Sequence, residues 1–128
     1  MTYSFLVLET HLDFLGHVNN ATYLQLFEEA RWAWITEKGF GYDKIIQTQL
    51  SPVILEVNLK FLSEVRLREK ATIESSLLEY TNKVGKLKQS MKKADGTVAC
   101  EAVLTFGLFS LETRKLVLPT PEWMAALQ

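Results

Sequence analysis

The loop ahead of the longest amphipathic segment contains a carboxylate in an unusual position. Asp13 lies between the apolar residues Leu12 and Phe14, seven residues before a predicted helix N-terminus. A carboxylate can act as a general base or as a nucleophile, and the unpaired N–H groups at a helix N-terminus can stabilise negative charge on an oxygen atom. Asp13 is therefore a candidate catalytic residue, with the alternative that it only closes the turn at Gly16.

His17 is a second candidate in the same loop, because imidazole can donate or accept a proton near neutral pH. The alternative is that His17 only fixes the loop by a hydrogen bond to the backbone. His11, His17 and the single cysteine, Cys100, do not have a zinc-binding spacing. The loop therefore offers candidates for acid–base chemistry, and no zinc site is indicated.

The segment after the loop is predicted to form the only long helix, over residues 21–38. Asn19 and Asn20 are good N-cap residues, and Gly39 is well placed to end the helix. At about 100° of rotation per residue, one arc of this helix is apolar and should face the core. That arc comprises Tyr23, Leu24, Phe27, Ala30, Trp34 and Ile35.

The rest of the chain is predicted to be mostly extended. Apolar patterns indicate strands over residues 3–12, 53–62, 69–80, 84–94 and 98–111. Asp95-Gly96 is typical of a hairpin turn, and Pro121 favours a short helix over 122–127. The order predicts an α+β fold in which one long helix lies on a roughly five-stranded antiparallel sheet whose last four strands form a meander. We expect residues 1–128 to form a single domain.

Composition and charge exclude several function classes. The 128 residues contain 14 Lys and Arg against 15 Asp and Glu, a formal net charge of −1. This balance argues against a nucleic-acid-binding protein and against attraction to an anionic membrane. The apolar run 5–8 is too short for a membrane span or a secretory leader, and one cysteine cannot form an internal disulfide. We expect a soluble, cytoplasmic protein.

Residues 13–23 have the pattern D-x-x-G-H-V-N-N-x-x-Y, and the helix that follows contains E-A-R at residues 29–31. This combination resembles the hotdog-fold acyl-CoA thioesterases of the 4-hydroxybenzoyl-CoA thioesterase type. The order and length of the remaining segments agree with that family over nearly the whole chain. The resemblance implies a long helix wrapped by an antiparallel sheet, and two subunits joined edge to edge as a homodimer or within a homotetramer.

The resemblance also implies roles for the loop residues. Asp13 corresponds to the carboxylate that acts on the thioester, either as general base for water or as nucleophile. The backbone N–H at the position of Asn20 is implied to polarise the thioester carbonyl, and relatives carry His or Tyr at this position. His17 stays a third candidate catalytic residue. No metal and no cofactor is implied.

An acyl-CoA substrate also needs a pocket for the acyl group. The candidate substrate-binding residues for this part are Gly16, Tyr23, Phe27 and Phe61, with Trp34 as a further candidate wall. Side chains from both subunits are expected to shape the pocket. The identity of the acyl group is left open.

Lysines are candidates for the phosphates of coenzyme A. Lys86 and Lys88 alternate onto one face of the strand that starts near residue 84, and Lys83 lies just before it. Exposed lysines suit phosphate groups as point charges. The alternative is a solvated face that Glu74 or Glu79 neutralises. Arg66 and Arg68, after the 53–62 strand, are equal candidates for phosphate contact.

Two residues within the apolar segments are interpreted as structural. Arg31 falls in the apolar arc of the helix and should be paired with Glu28 or Glu56. Glu28 has a rival interpretation, because another hotdog branch uses a carboxylate on the helix for catalysis. Cys100 is predicted to be a small buried hydrophobe and not a nucleophile.

Other functions fit parts of the pattern. The G-H-V-N-N segment also occurs in hotdog enzymes that hydrolyse acyl groups from acyl carrier protein. A noncatalytic hotdog module that binds acyl thioesters would have little reason to keep Asp13 among apolar neighbours. Hotdog dehydratases carry a catalytic histidine and a Gly/Pro-rich loop that this chain lacks.

Overall fold

A computed structural model describes residues 1–128. In chain order the elements are β1 (Thr2–Leu6), a 3-10 turn (Glu9–His11), α1 (Asn20–Glu37), α2 (Tyr42–Thr48), β2 (Leu50–Phe61), β3 (Lys70–Thr81), β4 (Val84–Lys93), β5 (Val98–Ser110), β6 (Lys115–Val117) and α3 (Pro121–Ala126). The predicted α+β class, with one long helix on an antiparallel sheet, is confirmed. No helix is both long enough and apolar enough to cross a membrane.

The first strand is shorter than predicted, and one helix was not predicted. β1 ends at Leu6, because the chain then turns through Glu9–His11. Leu8 N donates a hydrogen bond of 2.9 Å to His11 Nδ1, which fixes this turn. The stretch 42–50, which carries no clear pattern, contains the seven-residue helix α2, about two turns long.

Helix α1 begins and ends where its cap residues predict. The Asn19 side chain accepts a hydrogen bond of 2.9 Å from Ala21 N, and Gly39 follows the helix with φ +88°. The buried arc differs from the prediction at two positions, since Leu24 is exposed and Leu26 is buried. Leu26 lies about 60° from Tyr23 around the helix axis and Leu24 about 100° away on the other side, so the sheet covers the side nearer to Leu26.

The strand order is β1-β3-β4-β5-β2, with β6 also pairing with β5. The predicted meander is correct for β3, β4 and β5 but wrong for β2, which pairs with β5 and not with β3. The reason is that β1 occupies the other edge of β3. β2 therefore forms an edge of the sheet and has one strand neighbour.

The two faces of the sheet differ in polarity. Leu87, Gln89 and Met91 of β4 are buried on the face that α1 covers. Because side chains alternate along a strand, Lys86 and Lys88 lie on the opposite face, as predicted. We call the two sides the helix face and the lysine face.

Candidate active site

The Asp13 loop is a tight turn closed by its own backbone. Asp13 N donates to His17 O at 3.1 Å, and Gly16 N donates to Asp13 O at 3.2 Å. Gly16 has φ +86°, a conformation in the left-handed region that favours glycine. Leu15 N donates to Asp13 Oδ1 at 2.9 Å. Asp13 therefore closes the turn with one carboxylate oxygen, while its Oδ2 makes no hydrogen bond within the chain.

The loop, the start of α1 and the end of β2 enclose a common cleft of about 540 Å³. We call it the Asp13 cleft. It brings together five of the predicted site residues, namely Asp13, His17, Asn20, Tyr23 and Phe61. Gly16 does not line the cleft. Its left-handed conformation shapes the turn that carries Asp13. The other lining residues are Phe14, Leu15, Val18, Asn19, Leu62, Ser63 and Glu64.

Asn20 lines this cleft, and its backbone N–H makes no hydrogen bond within the chain. It is the first helical residue of α1, so its N–H has no partner within the helix. The Asn19 side chain takes the next N–H, that of Ala21. The helix dipole adds partial positive charge at this end. The Asp13 cleft therefore combines a carboxylate with a helix N-terminus, the pair that the sequence predicted.

His17 is held between the loop and the segment after β2. Its backbone forms a β-bridge with Arg66, and its Nδ1 lies 3.4 Å from Val18 O. These contacts match the alternative that His17 fixes the loop. His17 nevertheless lines the cleft, so a role in proton transfer stays a prediction.

Glu64 is a second carboxylate in the cleft, and sequence reasoning missed it. It forms an ion pair with Arg66, and the hydrogen bond from Arg66 holds the pKa of Glu64 below its ordinary value. The signal that could have revealed Glu64 is its place three residues beyond Phe61, at the end of a strand already assigned to the pocket. Arg66 is therefore engaged with Glu64, and Arg68 with Glu9.

The predicted acyl-pocket residues divide into two groups. Tyr23 and Phe61 line the cleft and contact each other edge to face, with ring centroids 5.3 Å apart. Burial raises the pKa of Tyr23 to about 12. Phe27 is fully buried in the core and does not line the cleft, so its role in substrate binding stays a prediction. Trp34 lies farther along α1, away from the Asp13 cleft.

The candidate phosphate-binding lysines lie apart from the cleft. Lys83 is in the turn between β3 and β4. On the lysine face, Lys86 Nζ is 3.8 Å from Glu79 Oε1, and Lys88 Nζ is 3.6 Å from Glu101 Oε1. These exposed pairs match the alternative of a neutralised, solvated face.

Two structural interpretations have different outcomes. The prediction that Arg31 pairs with Glu28 or Glu56 is wrong, because its guanidinium donates instead to Gln89 Oε1 at 3.0 Å. A buried glutamine on β4 thus takes the place expected for an acid. Cys100 is fully buried as predicted, and burial raises the pKa of its thiol to about 12, as expected for an unreactive side chain.

Comparisons with known proteins place the chain in a family. Residues 7–127 match the model of the thioesterase-like superfamily. The chain is 33% identical over 106 residues to the long-chain acyl-CoA thioesterase FadM of Escherichia coli (strain K12), which covers 82% of this chain and 80% of FadM.

Solved structures show the same fold. YbaW, a probable thioesterase from Escherichia coli, is 30% identical with a TM-score of 0.88, covering 99% of this chain and 96% of that one. SAV2348 from Staphylococcus aureus, solved in complex with CoA, is 20% identical with a TM-score of 0.92, covering 98% and 79%. The chain therefore belongs to the thioesterase-like superfamily. It has the hotdog fold and is a thioester hydrolase.

Proposed function

We propose that this protein hydrolyses acyl-CoA thioesters, with Asp13 as the general base and the Asn20 backbone N–H as the oxyanion donor. The observation that carries the proposal is that Asp13, which has one carboxylate oxygen without a hydrogen bond, and Asn20, the first helical residue of α1, line one cleft. The names of two similar proteins support the substrate class, since FadM is a long-chain acyl-CoA thioesterase and SAV2348 was solved in complex with CoA.

The proposed reaction begins with a water molecule beside Asp13. Asp13 Oδ2 removes a proton from the water, and the water oxygen bonds to the acyl carbon. The carbonyl electron pair moves onto the oxygen, where the Asn20 N–H and the helix dipole stabilise the charge. The oxygen electron pair then re-forms the carbonyl as the C–S bond breaks, and the thiolate leaves with the electron pair of the C–S bond. The proton on Asp13 passes to solvent or to the thiolate.

Each group in the cleft has a defined task in this mechanism. Leu15 N fixes one oxygen of Asp13, so the other can be directed at water without a further partner. Thiolate is a good leaving group, so the mechanism needs no strong acid. The edge-to-face pair of Tyr23 and Phe61 supplies an apolar wall for the acyl group.

The decisive experiment replaces Asp13 by Asn, which keeps the size and the acceptor for Leu15 N but removes the base. We expect kcat for acyl-CoA hydrolysis to fall by at least about a hundredfold, while the melting temperature changes little. Free thiol release from a panel of aryl, short-chain and long-chain acyl-CoA substrates measures the rate.

Asp95→Asn is the matched control. Asp95 Oδ1 accepts a hydrogen bond of 2.9 Å from Thr97 N, two residues on, as Asp13 Oδ1 does from Leu15 N. Asp95 lies in the turn between β4 and β5, outside the cleft. Its Asn variant should keep the full rate. An Asp13→Asn protein that retains more than about half of the original kcat would show that the Asp13 carboxylate is structural.

We also propose that two copies associate through β2. This strand has a neighbour on one side only, and Ile54, Leu55 and Phe61 expose 39%, 49% and 54% of their surface along it. Pairing two β2 strands would satisfy the unpaired backbone groups and cover these side chains. Light scattering should therefore show a homodimer or a homotetramer at micromolar concentration. A stable, active monomer would contradict this proposal.

A further inference from the structure

The base of the Asp13 loop is a short hairpin between the 3-10 turn and α1. Leu12 and Val18 pair there as an antiparallel β-bridge, and Asn19 N donates to His11 O at 2.9 Å. Asn19 is the residue whose side chain caps α1. The arm of the loop that carries Asp13 is therefore tied to the start of α1 through the backbone of His11.

The side chain of His11 binds the chain on the other side. Leu8 N donates a hydrogen bond of 2.9 Å to His11 Nδ1, across the 3-10 turn. The ring packs edge to face against Phe5 of β1, with ring centroids 6.3 Å apart. His11 thus links the end of β1 to the start of α1, with its ring on one side and its carbonyl oxygen on the other.

The hydrogen bond from Leu8 N requires a neutral imidazole. A backbone N–H only donates, so His11 Nδ1 must be the unprotonated acceptor, and the ring proton lies on Nε2. A protonated ring has donors at both nitrogens and no acceptor. The link between Leu8 and His11 can therefore break in the range where histidine ordinarily changes charge, about pH 5 to 8.

The charged groups on the neighbouring elements make no hydrogen bond to this ring. Glu9 in the turn forms an ion pair at 2.7 Å with Arg68, which precedes β3. Glu29 on α1 is hydrogen-bonded to β1 at 3.1 Å. The loop itself contributes the titratable groups of Asp13 and His17. Leu8 N is thus the hydrogen-bond partner of the His11 ring.

We propose that His11 is a positioning residue for the reaction at Asp13, whose neutral ring holds the Asp13 arm of the loop in place relative to the N-terminus of α1. This proposal rests on the proposed function. His11 does not line the Asp13 cleft, so it acts through the loop and not on the substrate. Its loss should lower kcat and leave KM nearly unchanged, because a small displacement of a reacting group slows the chemical step.

Two substitutions at His11 test the need for an acceptor at the position of Nδ1. His11→Asn places Oδ1 at the same number of bonds from Cα and does not titrate, whereas His11→Ala removes the acceptor. At about pH 8, where histidine is ordinarily neutral, we expect kcat for acyl-CoA hydrolysis to fall about tenfold in His11→Ala. His11→Asn should recover most of that loss. Equal rates in the three proteins, or an equal loss in both variants, would overturn the proposal.

The dependence of kcat on pH gives a readout that a merely structural role would not move. Between about pH 8 and pH 5.5, kcat of the unsubstituted protein should fall toward that of His11→Ala, as the ring gains its second proton. His11→Asn should keep a larger share of its rate. Asp13 and His17 are present in all three proteins, so the difference between the profiles belongs to His11. Parallel profiles for His11→Asn and the unsubstituted protein would overturn the proposal, and this comparison stands even if His11→Ala fails to fold.

Glu9→Gln is the matched control in the same turn. It removes the ion pair with Arg68 and leaves the acceptor for Leu8 N in place. It should keep the kcat of the unsubstituted protein at about pH 8. A loss as large as that of His11→Ala would assign the effect to the turn as a whole and overturn the proposal.

The Leu8 amide tests the link without any hydrolysis. In two-dimensional amide NMR spectra, the Leu8 signal should move with pH together with the His11 ring signals in the unsubstituted protein, and it should stay in place in His11→Asn. A Leu8 signal that does not follow the ring would overturn the role of His11 whatever the activity. If Asp13→Asn keeps its rate, the proposed function fails, and the titration of Leu8 would still stand as a property of the turn.

Discussion

Two turns of the molecule share the same local geometry and differ in the parts of the fold that surround them. Asp13 Oδ1 accepts from Leu15 N and Asp95 Oδ1 accepts from Thr97 N, both at 2.9 Å. Each turn also contains a glycine in the left-handed region, Gly16 with φ +86° and Gly96 with φ +88°. The bond to Thr97 lowers the pKa of Asp95. Read residue by residue, either turn is an ordinary Asx turn.

The surroundings separate the two aspartates. Asp13 lines a cleft with the first residue of α1, whereas Asp95 is exposed in a hairpin between β4 and β5. A carboxylate becomes a catalytic candidate when an oxyanion donor and an apolar wall lie beside it. The Asp13 turn has both neighbours, whereas no helix begins in or directly after the Asp95 turn. The difference teaches that tertiary context, and not the turn itself, supports the proposed chemistry.

The strongest test of this comparison removes the donor beside Asp13. Proline has no N–H but suits the first helical position, and Asn19 has φ −63° and ψ 142°, which a following proline permits. Asn20→Pro should therefore leave α1 intact while kcat falls by about a hundredfold, since loss of an oxyanion donor costs about 3 kcal/mol. Stopped-flow thiol release gives the rate, and circular dichroism checks the helix.

Asn20→Ala is the control for that substitution, because it keeps the N–H and removes the side chain. It should retain most of the activity. If Asn20→Ala and Asn20→Pro lose activity equally, the side chain of Asn20 matters and the backbone donor does not. If neither loses activity, the proposed oxyanion site is wrong.

A smaller effect is expected from matched changes at the two glycines. A Cβ at Gly16 or at Gly96 would meet no atom within 4 Å, so the cost of alanine is conformational in both turns. Gly16→Ala and Gly96→Ala should each reduce the free energy of unfolding by about 1–2 kcal/mol. Only Gly16→Ala should also lower kcat, because it shifts Asp13 relative to α1. Urea unfolding and steady-state kinetics on both proteins test this, and an equal loss of kcat in the two variants would contradict it.

The sequence predicts the bounds of α1 well because the signals for them are local. Asn19, Gly39 and the loop pattern lie within one continuous stretch, and the helix follows from its own cap residues. The burial of Leu26 in place of Leu24 depends on how the sheet wraps around α1, which periodicity does not specify.

The hydrogen-bond partner of Arg31 could not be predicted, because the contacts around this side chain join distant parts of the chain. Gln89 lies 58 residues from Arg31 and 62 residues from Phe27. The sequence pattern places an arginine in an apolar arc and implies a partner, but it does not identify a neutral amide on another element. The pairing of β2 with β5 was missed for the same reason, since an edge position depends on where β1 lies.

The smallest expected effect concerns the lysine face. Lys86 and Lys88 lie across the sheet from α1 and are paired with Glu79 and Glu101 at 3.8 and 3.6 Å, while Lys83 lies in the adjoining turn. Exposed ion pairs of this kind contribute little, and salt screens them. Replacing all three lysines by Ala should therefore change KM for acyl-CoA by less than about twofold, with kcat unchanged.

A pantetheine thioester, which lacks the nucleotide, is the control substrate and should show no difference between the triple variant and the unsubstituted protein. A rise of fivefold or more in KM for the full acyl-CoA, shrinking as salt is added, would instead assign these lysines to the coenzyme A phosphates. Part of the substrate would then reach the lysine face, and the comparison of the Asp13 and Asp95 turns would have to include this face as a third region.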